Sequence, residues 1–330
     1  MQTLADPSGA VLAFDVGGTT IKAEVLGPDL QTWARASVPT PHGPALADGV
    51  VDTARALLDG LTSEQRDAVR SVGLALPGIV DTARGVSIFA ANLDLRDVAL
   101  AEPIAARLGL PVRLGHDVAC AAAAERHSGA AAGVTDPVVV VIGTGIAAVS
   151  YVHGRRVAGV TGQAGELGHV VVRPGGPRCG CGARGCLEAV ASASSIARAY
   201  RSASGNDVAG AADVVARLGQ DAVADAVWAE ATTALADGLL IATALLAPGA
   251  IVLGGGLAEA GASLVDPVAA SMRERATAVT VPPLLTAAHG SRAGVVGAAL
   301  IASAPSAECD ELARHAGVSP PARHTHRDGG

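Results

Sequence analysis

Three cysteines fall within eight residues in the stretch RCGCGARGCLEA: Cys179, Cys181 and Cys186. Thiols this dense can form a disulfide staple, a redox pair, a metal centre or a nucleophile, and the spacing separates these chemistries. A bridge between Cys179 and Cys181 would be strained, and a redox pair favours two intervening residues rather than one. His169 stands ten residues before Cys179. Three thiolates and one imidazole make a closed tetrahedral set suited to zinc, and a closed set implies a metal that holds structure rather than one that activates substrate. The spacing therefore predicts a structural Zn²⁺ on His169, Cys179, Cys181 and Cys186. Cys120 and Cys309 have no such company and read as a small core residue and a tail residue.

Carboxylates flank this segment. Glu166 lies three residues before His169, and Glu188 two past Cys186, so a metal knot there would fix both acids in space. A third acid, Asp117, opens the apolar stretch VACAAAAERH. Taken singly, Asp117 reads as a helix N-cap and Glu166 as a solvated surface group. Three glycine turns accompany the acids. The first is DVGGTTIK, with Asp15, Gly17, Gly18, Thr19, Thr20 and Lys22; the others are Gly143-Thr144-Gly145 and Gly254-Gly255-Gly256. Without a Cβ, a glycine lets backbone N–H groups approach a phosphate closely. The threonine hydroxyls add donors, and Asp15, at a strand end, is placed to hold Mg²⁺ through water. The competing reading of the first turn is a hairpin with a polar rim. It is neither a P-loop, lacking GxxxxGK[ST], nor a dinucleotide fingerprint, lacking the following helix. Fixed carboxylates beside glycine turns suit a polyhydroxylated ligand, whose hydroxyls are donors.

The elements that must carry these groups follow from periodicity. VLAFDVGGTTIKAEVL reads as strand, tight turn, strand, and QTWARASVPT as a third strand. Apolar positions at helical spacing mark a helix over 46–58. SVGLALPGIVD is a buried strand ending at Pro77-Gly78, residues 99–108 are helical, and PVRLGHD is a short strand. The order then restarts: PVVVVIGTGIAAVSYVHGRRVAGVT repeats strand, glycine-threonine turn, strand, turn, strand. We read this as an internal duplication. AIVLGGGLAEAG gives a buried strand, three glycines and a helix start, and a last helix is expected over about 291–302. The class is α/β, with two meander-led lobes and a cleft between them lined by the glycine turns. The lobes are placed at 1–115, completed by the C-terminal helix 291–303, and at 116–290, which includes the zinc loop. Residues 304–330, rich in Pro, Ser, Ala, His and Arg, read as a disordered tail.

Composition narrows the function classes. Half of the 330 residues are hydrophobic but only 2% are aromatic, so the core is aliphatic. The formal net charge is −7 with Lys22 the sole lysine, and no basic stripe points to nucleic acid. No charged and apolar leader opens the chain, and no run of about 18 uncharged apolar residues reads as a membrane span; 234–246 carries Asp237 and reads as a buried helix. A cytoplasmic protein is expected, where disulfides are rare.

In this order and spacing, DVGGTTIK, GTGIA, GELGH and CGCGARGCLE resemble the ROK family of sugar kinases and sugar-responsive repressors, over about residues 10–302. The resemblance implies an actin-like ATPase fold of two ribonuclease H-like lobes, and ATP- and Mg²⁺-dependent phosphorylation of a hexose by a protein similar to the glucokinases. By position it implies that Asp117 is the catalytic base. It likewise implies that Gly78, Asn92, His116, Glu166, His169 and Glu188 meet the sugar, with His169 doubling as a zinc ligand. Asp15, Gly17, Gly18, Thr19, Thr20, Lys22, Gly143–Gly145 and Gly254–Gly256 match the phosphate and nucleotide loops. A homodimer is the oligomer common in that family. Only 14 residues precede Asp15, which leaves no space for the winged helix of the repressor branch and favours a kinase. His116 stands where the family usually has asparagine, and Ala119 and Ala147 also depart from its pattern.

Overall fold

The computed structural model describes residues 9–160 and 162–303; the expected tail, with Cys309, lies outside them. The chain opens as an antiparallel meander of β1 (Ala10–Val16), β2 (Thr20–Leu26) and β3 (Thr32–Pro39). Helices α1 (Ala45–Asp59) and α2 (Ser63–Ala68) follow, and β4 (Val69–Leu76) returns parallel to β1. Next comes a separate antiparallel sheet of β5 (Ile79–Asp81), β6 (Val86–Ala90) and β7 (Leu95–Ala99). Helix α3 (Ala101–Leu108) then leads into β8 (Val112–His116), parallel to β4. Helix α4 (Asp117–Ser128) leaves this sheet for a second meander, β9 (Val138–Ile142), β10 (Ile146–Val152) and β11 (Arg155–Arg156). After α5 (Leu187–Ala191), α6 (Ala193–Ser204), α7 (Ala211–Val215) and α8 (Ala222–Leu246), β12 (Ile251–Gly254) joins β9 in parallel. Helix α9 (Ala262–Arg275), β13 (Leu284–Thr286) and α10 (Ala293–Ser303) complete the order.

The two five-stranded sheets, β3-β2-β1-β4-β8 and β11-β10-β9-β12-β13, have the same strand topology. This is the duplication read from the repeated meander. Central parallel strands are buried on both faces and so lose the polar alternation of an exposed sheet. In β1, Leu12 and Phe14 pack with Leu46, Val50 and Ile104 on one side, while the smaller Val11 and Ala13 meet Val295, Ala298 and Ala299 of α10 on the other. The small residues permit a close helix: a Cβ on Gly73 would lie 2.0 Å from the Ala298 carbonyl oxygen, and one on Gly297 would lie 1.9 Å from that of Cys120. Thus α10 covers the first sheet and presses on α4. The other flank of α4, through Val118 and Ala122, packs on Val139, Val149, Tyr151 and Val252 of the second sheet. Helices α5 to α9 contribute the core on that sheet's far face.

Several boundaries differ from the sequence reading. Strand β11 has two residues, against eight in β3, because the chain leaves the sheet after Arg156. Ala99 ends β7, and α3 starts at Ala101. The three glycines 254–256, the first of which ends β12, do not open an α-helix. A 3-10 turn, Gly256–Ala260, intervenes before α9. The helix expected over 234–246 begins at Ala222, where Asp221 caps it by accepting from the Val223 and Ala224 N–H groups. It is the one helix among the described residues long and apolar enough to cross a membrane. Its Trp228, Leu235 and Leu239 lie in the core of the second half, so it is a core helix. Cys120 is fully buried between α4 and α10, as expected of a core residue.

Candidate active site

In open α/β sheets ligands bind beyond the carboxyl ends of the parallel strands, and both sheets gather the chemistry-bearing residues there. In the first sheet Asp15 pairs in register with Ala75, and Leu76 with His116. This sets Asp15, the Pro77-Gly78 bend and the His116-Asp117 step side by side. Lys22 is the cross-strand partner of Asp15. The turn between β1 and β2 is closed by Gly17 N–H to the Thr20 carbonyl at 3.0 Å, and Thr40 Oγ1 donates to the Gly17 carbonyl at 2.7 Å. Asn92, in the 3-10 turn after β6, packs over this turn: its Nδ2 lies 3.3 Å from where a Cβ on Gly18 would be. Gly78 has φ +85°, and a side chain there would meet the Phe89 carbonyl oxygen of β6 at 2.2 Å.

Asp117 is the first residue of α4, not its cap. The N-cap position belongs to His116, which makes no side-chain capping bond. The Asp117 carboxylate accepts from the Val118 N–H at 2.7 Å and lies 3.4 Å from His116 Nδ1. Burial holds its carboxyl above the ordinary carboxylate range, against the opposing pull of His116 and the backbone donors. Burial likewise pushes Asp15 up to about 6, with Lys22 lowering it and the nearby Asp117 raising it. Two acids this close resist ionising together.

The sign of the pH effect follows from the direction of the Asp15 shift. An acid whose folded pKa lies above its unfolded value stabilises the fold below the unfolded value, near 4, and loses that contribution as pH rises through about 6. Asp15→Asn should therefore gain stability relative to the parent between these pH values, by up to about 3 kcal/mol. Urea unfolding of both proteins at pH 4.5 and 7 measures this, and parallel pH dependences would refute it.

In the second sheet Gly254 is in register with Val141, which brings the turns 143–145 and 254–256 together. Gly255, at φ +81°, lies so close to Ile142 that a Cβ would be 2.5 Å from its carbonyl oxygen. Glu188, in the first turn of α5, reaches the first of these turns, and its Oε2 accepts from the Ile146 N–H at 3.0 Å. Gly145 makes space for it, because a Cβ there would lie 2.5 Å from the same oxygen. Ser194 Oγ donates to the Thr144 carbonyl at 2.7 Å. The loop carrying Glu166 and His169 lies along β10, with Ala148 N–H donating to the Gly165 carbonyl at 2.8 Å.

The donor atoms of His169, Cys179, Cys181 and Cys186 lie within 4.8 Å of one another. Cys179 Sγ is 3.6 Å from His169 Nδ1, and Cys181 Sγ is 3.7 Å from Cys186 Sγ. Tetrahedral zinc with ordinary bond lengths separates two sulfurs by about 3.8 Å and a sulfur from a nitrogen by about 3.6 Å. The four residues thus fit a single tetrahedral ion, and all three cysteines are free thiols. Burial, followed by the neighbouring thiols, pushes Cys186 up to about 12, whereas the Ala183 backbone N–H lowers Cys181. His169 presents its two nitrogens differently: Nδ1 faces the thiols, and Nε2 lies 3.7 Å from Glu166 Oε2.

Other contributors escaped the sequence reading. Gly294 in the first turn of α10 seats the Asp15 carboxylate, whose Cγ lies 2.6 Å from where a Cβ would be. The small-residue spacing of Gly294, Gly297 and Ala298 is the signal that could have pointed to this contact. Lys22 is expected at the site, but not its bond to this segment, in which its Nζ donates to the Ser291 carbonyl at 3.2 Å. Arg292 holds buried Glu24 through two bonds of 3.0 and 2.8 Å. Nothing in the pattern flags Thr40.

Two sheets of one topology, with acids and a glycine-threonine turn at the strand ends of one and glycine turns at those of the other, are the actin-like ATPase fold of paired ribonuclease H-like halves. Within that class the ROK family pattern matches residues 11–304, and this chain belongs to the ROK family. It is 30% identical over 319 residues to a glucokinase of Streptomyces coelicolor, covering 90% of this chain and 98% of that protein. It is 36% identical over 191 residues to the N-acetylmannosamine kinase of Citrobacter koseri, covering 58% and 64% of the two chains. The ROK family glucokinase of Streptomyces griseus, solved in complex with glucose and AMPPNP, superposes with a TM-score of 0.76 at 28% identity, covering 89% of this chain and 99% of that one.

Proposed function

We propose that this protein is an ATP-dependent hexose kinase, glucose being its first expected acceptor, which transfers the γ-phosphoryl group to a sugar hydroxyl, O6 in an aldohexose. The observation that carries this reading is the pair Asp117 and Asp15 at neighbouring strand ends, flanked by a glycine-threonine turn, with the glycine turns of the second half at the matching strand ends of its own sheet. Phosphoryl transfer relies on positioning and electrostatics more than on covalent chemistry. Asp117 accepts the hydroxyl proton and orients the attacking oxygen; its raised affinity for a proton suits a base that must take one up. N–H groups of the turns at 17–20, 143–145 and 254–256 receive the phosphates, with Thr19, Thr20 and Thr144 hydroxyls as further donors. Mg²⁺, when bound with ATP, neutralises phosphate charge, and Asp15 is the residue to hold it. Glu166, His169 through Nε2, Glu188, Asn92, His116 and the Gly78 backbone bind the sugar hydroxyls. Zinc on His169, Cys179, Cys181 and Cys186 supplies a structural tie between the loops that carry three of these groups. A cytoplasmic location, where ATP is available, completes the proposal.

A second reading, an N-acetylmannosamine kinase, is favoured by the similarity over 191 residues and by His116, whose ring has a different reach from an amide. A coupled ATP assay over glucose, N-acetylmannosamine, fructose and allose tests both. The expected result is highest kcat/KM with glucose. Preference for the amino sugar selects the second reading. Tight sugar binding with no turnover on any of them would sink the kinase proposal in favour of a sugar sensor.

A further inference from the structure

The chain passes between the two sheets twice: along α4, from β8 to β9, and along the strap 287–292, from β13 to α10. Glu125, on the third turn of α4, joins the two crossings. Its side chain is buried, with 1% of the residue exposed. Oε2 accepts from the N–H groups of Ala130 at 2.8 Å and Ala288 at 2.9 Å, and Oε1 accepts from that of His289 at 2.8 Å. Ser128 Oγ and His289 Nε2, 3.1 Å apart, add a second tie between the same segments. Gly129 leaves the space this needs, since a Cβ there would lie 2.2 Å from Glu125 Oε2. The far end of the strap is fixed to β2 by Arg292 on Glu24 and by Lys22 on the Ser291 carbonyl.

The two crossings carry the two acids. Asp117 is the first residue of α4, and the first turn of α10, directly after the strap, seats Asp15. We propose that Glu125 is a positioning residue for phosphoryl transfer: by clamping α4 to the strap at 288–289 it fixes the spacing of Asp117 and Asp15. Three converging N–H donors require an anionic acceptor with both oxygens available. Charge-assisted bonds of this kind are stronger than neutral ones, and each donor left unpaired in the interior is costly. Glutamine keeps one acceptor oxygen and turns an NH₂ group toward N–H donors.

The role rests on the kinase reading, so the test separates the two. Full-length parent, Glu125→Gln and Gly129→Ala are compared by amide hydrogen exchange and by steady-state kinetics with ATP and the preferred sugar. Gly129 has φ −106°, outside the left-handed region, and a new methyl there would lie 2.2 Å from Glu125 Oε2 and 2.8 Å from the Glu125 Cα, so it presses on both the carboxylate and the end of α4 without removing the charge. Either variant is expected to speed exchange at 130 and 288–289. Each should lower kcat on the order of tenfold to a hundredfold, the scale of a small misplacement of reacting groups. The sugar KM should stay within about threefold, because the loss falls on the chemical step. If Glu125→Gln fails to fold, Gly129→Ala decides. Faster exchange with unchanged kcat, unchanged exchange, or a rise in KM equal to the fall in kcat overturns the proposal. A parent that phosphorylates no sugar refutes the kinase reading instead, and with it the positioning role, while the exchange data still report whether the clamp exists.

Discussion

Replacing Asp117 by asparagine is expected to lower kcat by about 10²–10⁴-fold, the usual contribution of a positioned general base, with sugar affinity preserved. The substitution is nearly isosteric. The amide oxygen can still accept the Val118 N–H, so the start of α4 keeps its geometry. What disappears is a group able to take up a proton. Because that step is made only in the transition state, kcat and kcat/KM should fall together and the sugar Kd should hold. The parent should lose activity on acidification at a pH above the ordinary aspartate range, since burial raises the Asp117 carboxyl against the opposing pull of His116 and the backbone donors. Steady-state kinetics over pH, with calorimetric sugar binding for the variant, give all three quantities. Near-normal turnover of Asp117→Asn would remove the residue from the role.

What the sequence disclosed about this arrangement, and what it hid, divides along physical lines. Strongly patterned features were legible. The paired meanders are short buried strands broken by glycine turns, and a turn that needs glycine announces itself by composition. Metal-ligand spacing is equally explicit, because Cys179, Cys181 and Cys186 must converge from one short loop. The contacts that join the halves were not legible. Glu125 meets N–H groups 163 and 164 residues away, and Glu24 meets Arg292 at a separation of 268. Backbone N–H groups carry no sequence signature, so a buried glutamate that serves them looks like any polar helix residue. Asp117 shows the same limit. Its residue type fitted an N-cap, but the step from β8 puts His116 in the cap position and turns the aspartate into the first helical turn. The small sheet β5-β6-β7 was missed for another reason. Its strands are three to five residues long with mixed burial, too short for a period of two to stand out.

Removing the metal, by Cys181→Ser or by chelation, is expected to abolish stoichiometric zinc and to weaken sugar binding in the same step. Cys181 is an exposed ligand, so serine there disturbs no packing, and any loss of sugar affinity must travel through the metal. The route is short. Cys186 immediately precedes α5, whose second residue, Glu188, reaches the Ile146 N–H. His169 holds the other strand of the loop, where Leu187 N–H donates to the Val170 carbonyl at 2.9 Å and Val171 bridges to Cys186. One ion held by these four residues would anchor the segments bearing Glu166, His169 and Glu188, and coordination through His169 Nδ1 would leave Nε2 facing Glu166 and the sugar. Without it the buried Cys186 thiol, pushed up to about 12, stays protonated at neutral pH and offers no charge to hold the loop. The expected loss of sugar affinity is on the order of 10–100-fold, the scale on which loss of an outer-shell support lowers activity at metal sites. Metal content by elemental analysis and sugar Kd by calorimetry decide the matter, with the far-ultraviolet dichroism of the variant as the check on fold. Metal loss accompanied by unaltered sugar affinity would show that the loop is held by its backbone ladder alone, and that His169 and Glu188 owe nothing to the cysteines between them.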